Sequence, residues 1–344
     1  MTDDASRDPG GMMDAVRGLP DQLAAAWARS RDFELPEGYD DVDSVVLAGM
    51  GGSAIGGDLA ASLLADTLAV PMATVRDYVL PGWVGPRTLV IGSSFSGNTE
   101  ETLAAYRAAS EAGALRVTVS TGGALTEMAH QAGDPVLAMP AGGQPRAALG
   151  NSLASVLRVL YAARLIDDPS DRITDAAAGM ADLVAEQAAA AGDHPVDDLA
   201  AALVEPVGVV YAPADMAPVA LRWKAQLNEN SKVTAAFDVL PELNHNAVVG
   251  YDGPGDVGGV VRVVVLDGPR THPRVQRRIE ITTGLLQDCD IPFSVVQSPG
   301  RGSRFAEALW LVQYGDLVSV ELAFLRGVDP TPVDTIRRLK AALA

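Results

Sequence analysis

Apolar side chains at Met13, Val16, Leu19, Leu23 and Trp27 keep to one stripe at helical spacing, so residues 12–33 read as an amphipathic helix. Pro20 marks a break or a fresh start within it. At residue 43 the pattern changes. DSVVLAGM is a short β-branched run of the kind that forms a buried strand, and it feeds Gly51, Gly52 and Ser53 before a helical stretch over 54–65. Strand, glycine turn and helix predict one βα unit of a parallel sheet. The alternation continues with strands over 69–76, 87–92, 114–120 and 134–139 and helices over 99–112, 124–131 and 151–165.

A polar stretch, DDPSDR at 167–172, reads as a linker, and a second series follows it. Helical segments over 173–191 and 196–204 precede strands over 207–211, 258–266 and 291–297, interleaved with helices over 216–227, 271–288 and 303–325. Pro332 suits the start of a last helix. The expectation is an α/β protein of two tandem domains, 1–165 and 166–344, each a parallel sheet flanked by helices.

Composition narrows the function classes. A length of 344 residues accommodates two domains of ordinary size, and 48% hydrophobic with 5% aromatic residues suits α/β packing. The net charge of −18 opposes non-specific binding to nucleic acid or to anionic membranes. Apolar runs are short and interrupted by charge or glycine, so no membrane span is predicted. The opening MTDDASRDPGG lacks the basic flank and apolar core of a signal peptide. Cys289 is the single cysteine, which excludes an intrachain disulfide and a cysteine-based zinc cluster. A cytoplasmic protein without metal is the resulting expectation.

Two turns carry candidate chemistry. MGGSAIGGD at 50–58 and SSFSGNTEE at 93–101 both lie where a strand hands over to a helix, the edge at which open parallel sheets bind ligands. Glycines such as Gly52 let backbone N–H groups approach an anion, and the helix N-terminus adds unpaired donors. Ser53, Ser94, Ser96 and Thr99 add hydroxyls at the same edge, which predicts a phosphate pocket. Tight helix–strand packing is the competing reading of GGSxxGG, and simple capping that of Thr99. Neither turn has the GxGxxG spacing of a dinucleotide fold or the lysine of a triphosphate loop. The first strand of the second half ends instead in YAPADM, so only the first half keeps this cradle.

A third stretch, LNENSKVTAAFDVLPELNHN at 227–246, holds Glu229, Lys232, Glu242 and His245 among four asparagines, which suggests a shaped loop. A carboxylate and an imidazole are the side chains best suited to moving protons near neutral pH. Lys232 and Glu242 read as loop-fixing residues, and His130, His194 and His272 as surface residues.

MGGSAIGGD, SSFSGNTEET, the GGQPR segment ending at Arg146, NENSK, PELNHN and RGVDPTPV together resemble the bifunctional phosphoglucose/phosphomannose isomerases, which have the sugar-isomerase (SIS) fold. The resemblance spans almost the whole chain in order, and NENSK with PELNHN is its most selective part. Ala247 departs from the pattern, since an acidic residue usually follows PELNHN.

The resemblance implies two tandem SIS domains and reversible conversion of glucose 6-phosphate and mannose 6-phosphate to fructose 6-phosphate without a cofactor. It implies that Gly52, Ser53, Ser94, Ser96 and Thr99 hold the phosphate, that Glu229 is the base, and that Arg146 stabilises the enediolate. His245 and Lys340 would assist ring opening, His245 from the partner subunit of a homodimer, and Thr331 would govern acceptance of the mannose epimer. A non-catalytic sugar-phosphate sensor and a glucose-only isomerase are the alternatives.

Overall fold

A computed structural model describes residues 7–253, 255–268, 270–300 and 302–343. Helix α1 (Met12–Arg17) stops at Gly18, and α2 (Leu19–Arg29) starts there with Pro20 in its first turn, so the stretch 12–33 holds two helices with the fresh start that Pro20 marks. The chain then continues through β1 (Ser44–Gly49), α3 (Gly51–Leu63), β2 (Met72–Val75), β3 (Thr88–Ser94) and α4 (Glu100–Glu111). Next come β4 (Leu115–Ser120), α5 (Gly123–Ala132), β5 (Val136–Ala138) and α6 (Leu149–Ala162), followed by α7 (Ser170–Ala190). The second series comprises α8 (Pro195–Ala202), β6 (Val207–Pro213), α9 (Ala217–Asn230), β7 (Ala235–Leu240) and β8 (Val261–Asp267). It closes with α10 (Pro273–Asp288), β9 (Phe293–Gln297), α11 (Arg304–Leu325) and α12 (Asp334–Leu343).

The chain forms two compact units, Gly18–Ala178 and Met1–Arg17 with Gly179–Ala344. The limits therefore differ from 1–165 and 166–344. The first helix belongs with the C-terminal half, and the second limit falls inside α7. DDPSDR is a helix start, with Asp168 Oδ1 accepting from Ser170 N at 2.9 Å.

In the unit Gly18–Ala178 five parallel strands run in the order β2-β1-β3-β4-β5. All six residues of β1 and all seven of β3 are buried, as a sheet covered on both faces requires. Gly49 lies opposite Ser93, and Ser94 opposite Ser120. That register brings the turns after β1, β3 and β4 to one edge.

The other unit has a four-stranded parallel sheet, β7-β6-β8-β9. β7 lies inside the stretch expected to be a loop. Only its end residues, Ala235 and Leu240, are fully buried, so as an edge strand it shows little of the apolar run that marks β6 and β8. Tyr211, Val263, Val265, Ile279 and Leu286 build the core between this sheet and α10.

α11 is long and apolar enough to cross a membrane by length and composition, yet 78% of its most apolar window is buried inside the protein, so it is a core helix. Gly315 is needed there, because a Cβ at that position would lie 2.3 Å from the ring of Trp223 in α9. Trp223 donates its indole N–H to Leu311 O at 2.8 Å, and Arg222 grips Asp316 through Nε–Oδ1 at 3.0 Å and a second guanidinium nitrogen to Oδ2 at 2.5 Å.

Candidate active site

The first sheet ends in β-branched strands that stop at small residues, so its carboxyl edge is made of backbone and hydroxyls. Gly51 has φ +49°, a conformation glycine adopts without strain, and Gly52 lies in the first turn of α3 against the neighbouring loop. A Cβ on Gly52 would come 2.6 Å from Pro145 O and 3.2 Å from Arg146 Cα, so this glycine lets the turn Pro145–Ala147 seat beside the start of α3. Arg146 is buried at that place.

The second glycine pair in GGSAIGG serves packing. A Cβ on Gly56 would meet Ser152 Oγ at 2.7 Å, and one on Gly57 would meet Leu47 at 2.7 Å. The two competing readings of the motif thus apply to different glycines.

The hydroxyls interlock. Ser53 Oγ accepts from Phe95 N at 3.0 Å, tying the turn after β1 to the turn after β3. Ser94 Oγ and Thr99 Oγ1 share a bond of 2.9 Å, and Gly97 N donates to Ser94 Oγ at 3.1 Å. Thr99 occupies the N-cap of α4 but makes no side-chain cap bond, so its hydroxyl turns to Ser94. Asn98 N donates to Ser96 Oγ, and Ser96 is exposed. Gly97 has φ +68°, and a Cβ there would sit 1.7 Å from Gly122 O, so the turn can be this tight only with glycine.

Sequence reading missed Ser93 and Ser152, whose hydroxyls both donate to Ser53 O, at 3.2 and 3.4 Å. Ser152 lies a long way from Ser53 along the chain, and the only trace of their meeting is the glycine at position 56.

In the C-terminal unit Glu229 stands in the last turn of α9, half-buried. A cavity of about 740 Å³ opens beside it, lined by Asn228, Glu229, Lys232, Asp329 and Pro332 together with the start of α12. α11 holds the end of α9 in place. Asn230 Nδ2 donates to Ser319 Oγ at 2.9 Å and Ser231 Oγ to Ser319 O at 2.6 Å, all fully buried. Lys232, at φ +57°, donates through Nζ to Glu229 O at 2.5 Å and Pro330 O at 3.0 Å. It therefore fixes the helix end to the segment that carries Thr331, the loop-fixing role its sequence context suggests. Thr331 N donates to Asp329 Oδ1 at 2.9 Å, and a Cβ on Gly10 would press on the Thr331 side chain at 2.3 Å.

The remaining expected residues are dispersed. His245 ends a 3-10 turn, Glu242–His245, and is exposed; Asn244 anchors that turn by donating to Thr282 Oγ1 at 2.8 Å and accepting from Arg278 at 3.2 Å. Lys340 is exposed on α12, a helix none of whose residues is buried. Neither side chain lines the Glu229 cavity. His194 and His272, read as surface residues, are N-caps whose Nδ1 atoms accept from Val196 N at 3.2 Å and Arg274 N at 3.1 Å.

Comparison with known proteins finds relatives over nearly the whole chain. Residues 193–343 match the family model described as the bacterial phospho-glucose isomerase C-terminal SIS domain. A bifunctional phosphoglucose/phosphomannose isomerase of Caldicellulosiruptor bescii is 38% identical, with 97% of this chain and 99% of that one covered. One of Aquifex aeolicus is 36% identical over 87% of this chain and 90% of its own length. Among solved structures, the tagatose-6-phosphate ketose/aldose isomerase of Escherichia coli superposes with a TM-score of 0.71 at 17% identity, covering 93% of this chain and 94% of that one, a likeness of fold.

Proposed function

Because the chain belongs to the bifunctional phosphoglucose/phosphomannose isomerase family and is a sugar-phosphate isomerase, we propose that it interconverts glucose 6-phosphate and mannose 6-phosphate with fructose 6-phosphate, with Glu229 as the base. The observation that carries this reading is the half-buried Glu229 beside a cavity of about 740 Å³, on a helix end held by Ser319 and Lys232. A carboxylate that is anchored yet reachable is what a base shuttling one proton between adjacent carbons needs.

In the open-chain aldose, Glu229 takes the proton from C2. The electrons form the C1–C2 double bond, and the developing oxyanion is stabilised by the Arg146 cation. A proton leaves the C2 hydroxyl and one is gained at O1, and protonated Glu229 returns its proton to C1, giving the ketose. The C2 hydrogens of the two epimers lie on opposite faces, so one base serves both aldoses through an enediolate that turns about C2–C3, with Thr331 admitting the mannose form. Gly52, Ser53, Ser94, Ser96 and Thr99 bind the phosphate, which is remote from the reacting carbons and supplies binding energy for positioning. His245, contributed by the partner of a homodimer, and Lys340 open the ring by proton transfer.

The test is to incubate purified protein with fructose 6-phosphate and assay both aldoses. Both products are expected, and Glu229→Gln should lower kcat by at least about 10³-fold while phosphate binding persists. A loss of only a few-fold assigns the base elsewhere. Glucose 6-phosphate as sole product removes the second activity.

A further inference from the structure

The second sheet has its own edge of the same kind. In β7-β6-β8-β9 the strand order reverses between β6 and β8, as it does between β1 and β3 in the first sheet, where the serine turns lie. Ligands bind open α/β sheets outside the carboxyl ends of the strands at such a reversal. YAPADM after β6 carries no cradle, but the turns after β8 and β9 differ from it in chemistry. They read DGPRTH and SPGRGS, and Gly300 and Gly302 have φ of +69° and +79°.

Polar groups converge there from several elements. A Cβ on Gly268 would lie 3.1 Å from Ser298 Oγ and 3.2 Å from Glu307 Oε2, so the end of β8, the end of β9 and the first turn of α11 meet at one spot. Ser298 and Glu307 are 3% and 2% exposed. Arg270 Nε pairs with Glu307 Oε1 at 3.2 Å. Arg304 pairs with Asp215 at 3.0 Å.

Two buried atoms here, Ser298 Oγ and Arg304 Nε, have no hydrogen-bond partner among the described residues, and the buried Glu307 carboxylate has only Arg270 facing it. Buried polar atoms are nearly always satisfied, so unpartnered groups beside a singly paired carboxylate call for a donor and acceptor from outside the chain. The mouth is open, with the Arg270, Arg304 and Asp215 side chains 51%, 29% and 40% exposed.

We propose that this crevice is a second ligand site, which takes a small phosphorylated polyol. Its phosphate lies against Arg270 and Arg304 at the start of α11, and its hydroxyls donate to Glu307 and bond Ser298. Arginine guanidinium groups and a helix N-terminus suit a phosphate, whereas a carboxylate floor suits hydroxyls that both give and accept. A plain anion would add no donor for a Glu307 carboxylate that has only Arg270 facing it, so the hydroxyls are part of the specification. The site shares no residue with the cavity beside Glu229, and its occupancy does not depend on which aldoses the chain converts.

Glucitol 6-phosphate, which has no carbonyl to isomerise, serves as the probe. Calorimetric titration of the wild-type chain should give two sites per chain, and hydrogen–deuterium exchange should slow over residues 298–308. In Arg304→Gln and, as a milder change, Ser298→Ala, the second site should weaken by at least about ten-fold with loss of that protection, while turnover without the probe stays at the wild-type rate. One site per chain with unchanged exchange over 298–308 in wild type overturns the proposal. So does equal second-site affinity in both variants.

Discussion

The buried pair between Arg222 and Asp316 joins α9 to α11 two turns before Glu229, so its removal tests how the base is carried. The two side chains are 4% and 2% exposed, and two bonds of 3.0 and 2.5 Å connect them. Asp316→Asn keeps the shape and one neutral acceptor but leaves the guanidinium buried without its counter-charge. Each hydrogen bond between ionised groups contributes about 1.5–3 kcal/mol, and breaking one partner of a buried pair costs about 3–5 kcal/mol. The retained acceptor puts the expected loss near the lower end, about 3 kcal/mol. Replacing both residues, Arg222→Met with Asp316→Leu, removes the stranded charge and should recover stability to within about 1 kcal/mol of wild type. Native-state hydrogen exchange of α9 and α11 amides against urea reads these differences within the unit itself. A loss under about 1 kcal/mol in Asp316→Asn, the level of a solvent-exposed pair, would refute the reasoning.

Gly52→Ala should act on turnover more than on folding, because its Cβ would press 2.6 Å from Pro145 O and displace Arg146; kcat/KM should fall by about ten-fold or more on both aldoses with a small change in melting midpoint. Glu307 has its carboxyl pushed above the usual range, first by burial and against the pull of Arg270 and Arg304. The native state therefore binds this proton more tightly than the unfolded chain, so the ionised group costs stability at neutral pH. That cost fades as pH falls through the raised folded value toward the unfolded one of about 4.3. Glu307→Gln should raise the melting midpoint at pH 7, and the gain over wild type should shrink toward pH 4.5 in a calorimetric series; a gain that does not change with pH would contradict the assigned cause.

The βα units were legible because each is local. A β-branched run followed by glycine and then helix-period residues produces strand, turn and helix without reference to the rest of the chain, and both serine turns lie where that pattern puts them. β7 was not legible, since an edge strand with exposed central residues lacks an apolar run. Pro20 marked the break before α2, whereas the helix start at Ser170 was obscured by the polar composition of 167–172. Three histidines looked alike in sequence, but two proved to be caps, because a cap is defined by backbone angles that composition does not carry.

Local pattern alone thus determined a two-part α/β chain, the turns at the carboxyl edge of its first sheet, and the chemical type of the groups near Glu229. Which strands neighbour one another, and so which turns share an edge, came only from the tertiary structure. So did the meeting of Ser152 with Ser53, the clamp of Ser319 on Asn230 and Ser231, and the cluster of Ser298, Arg304 and Glu307. These contacts join residues far apart along the chain, and their geometry depends on sheet order and helix packing, which no local window of residues contains.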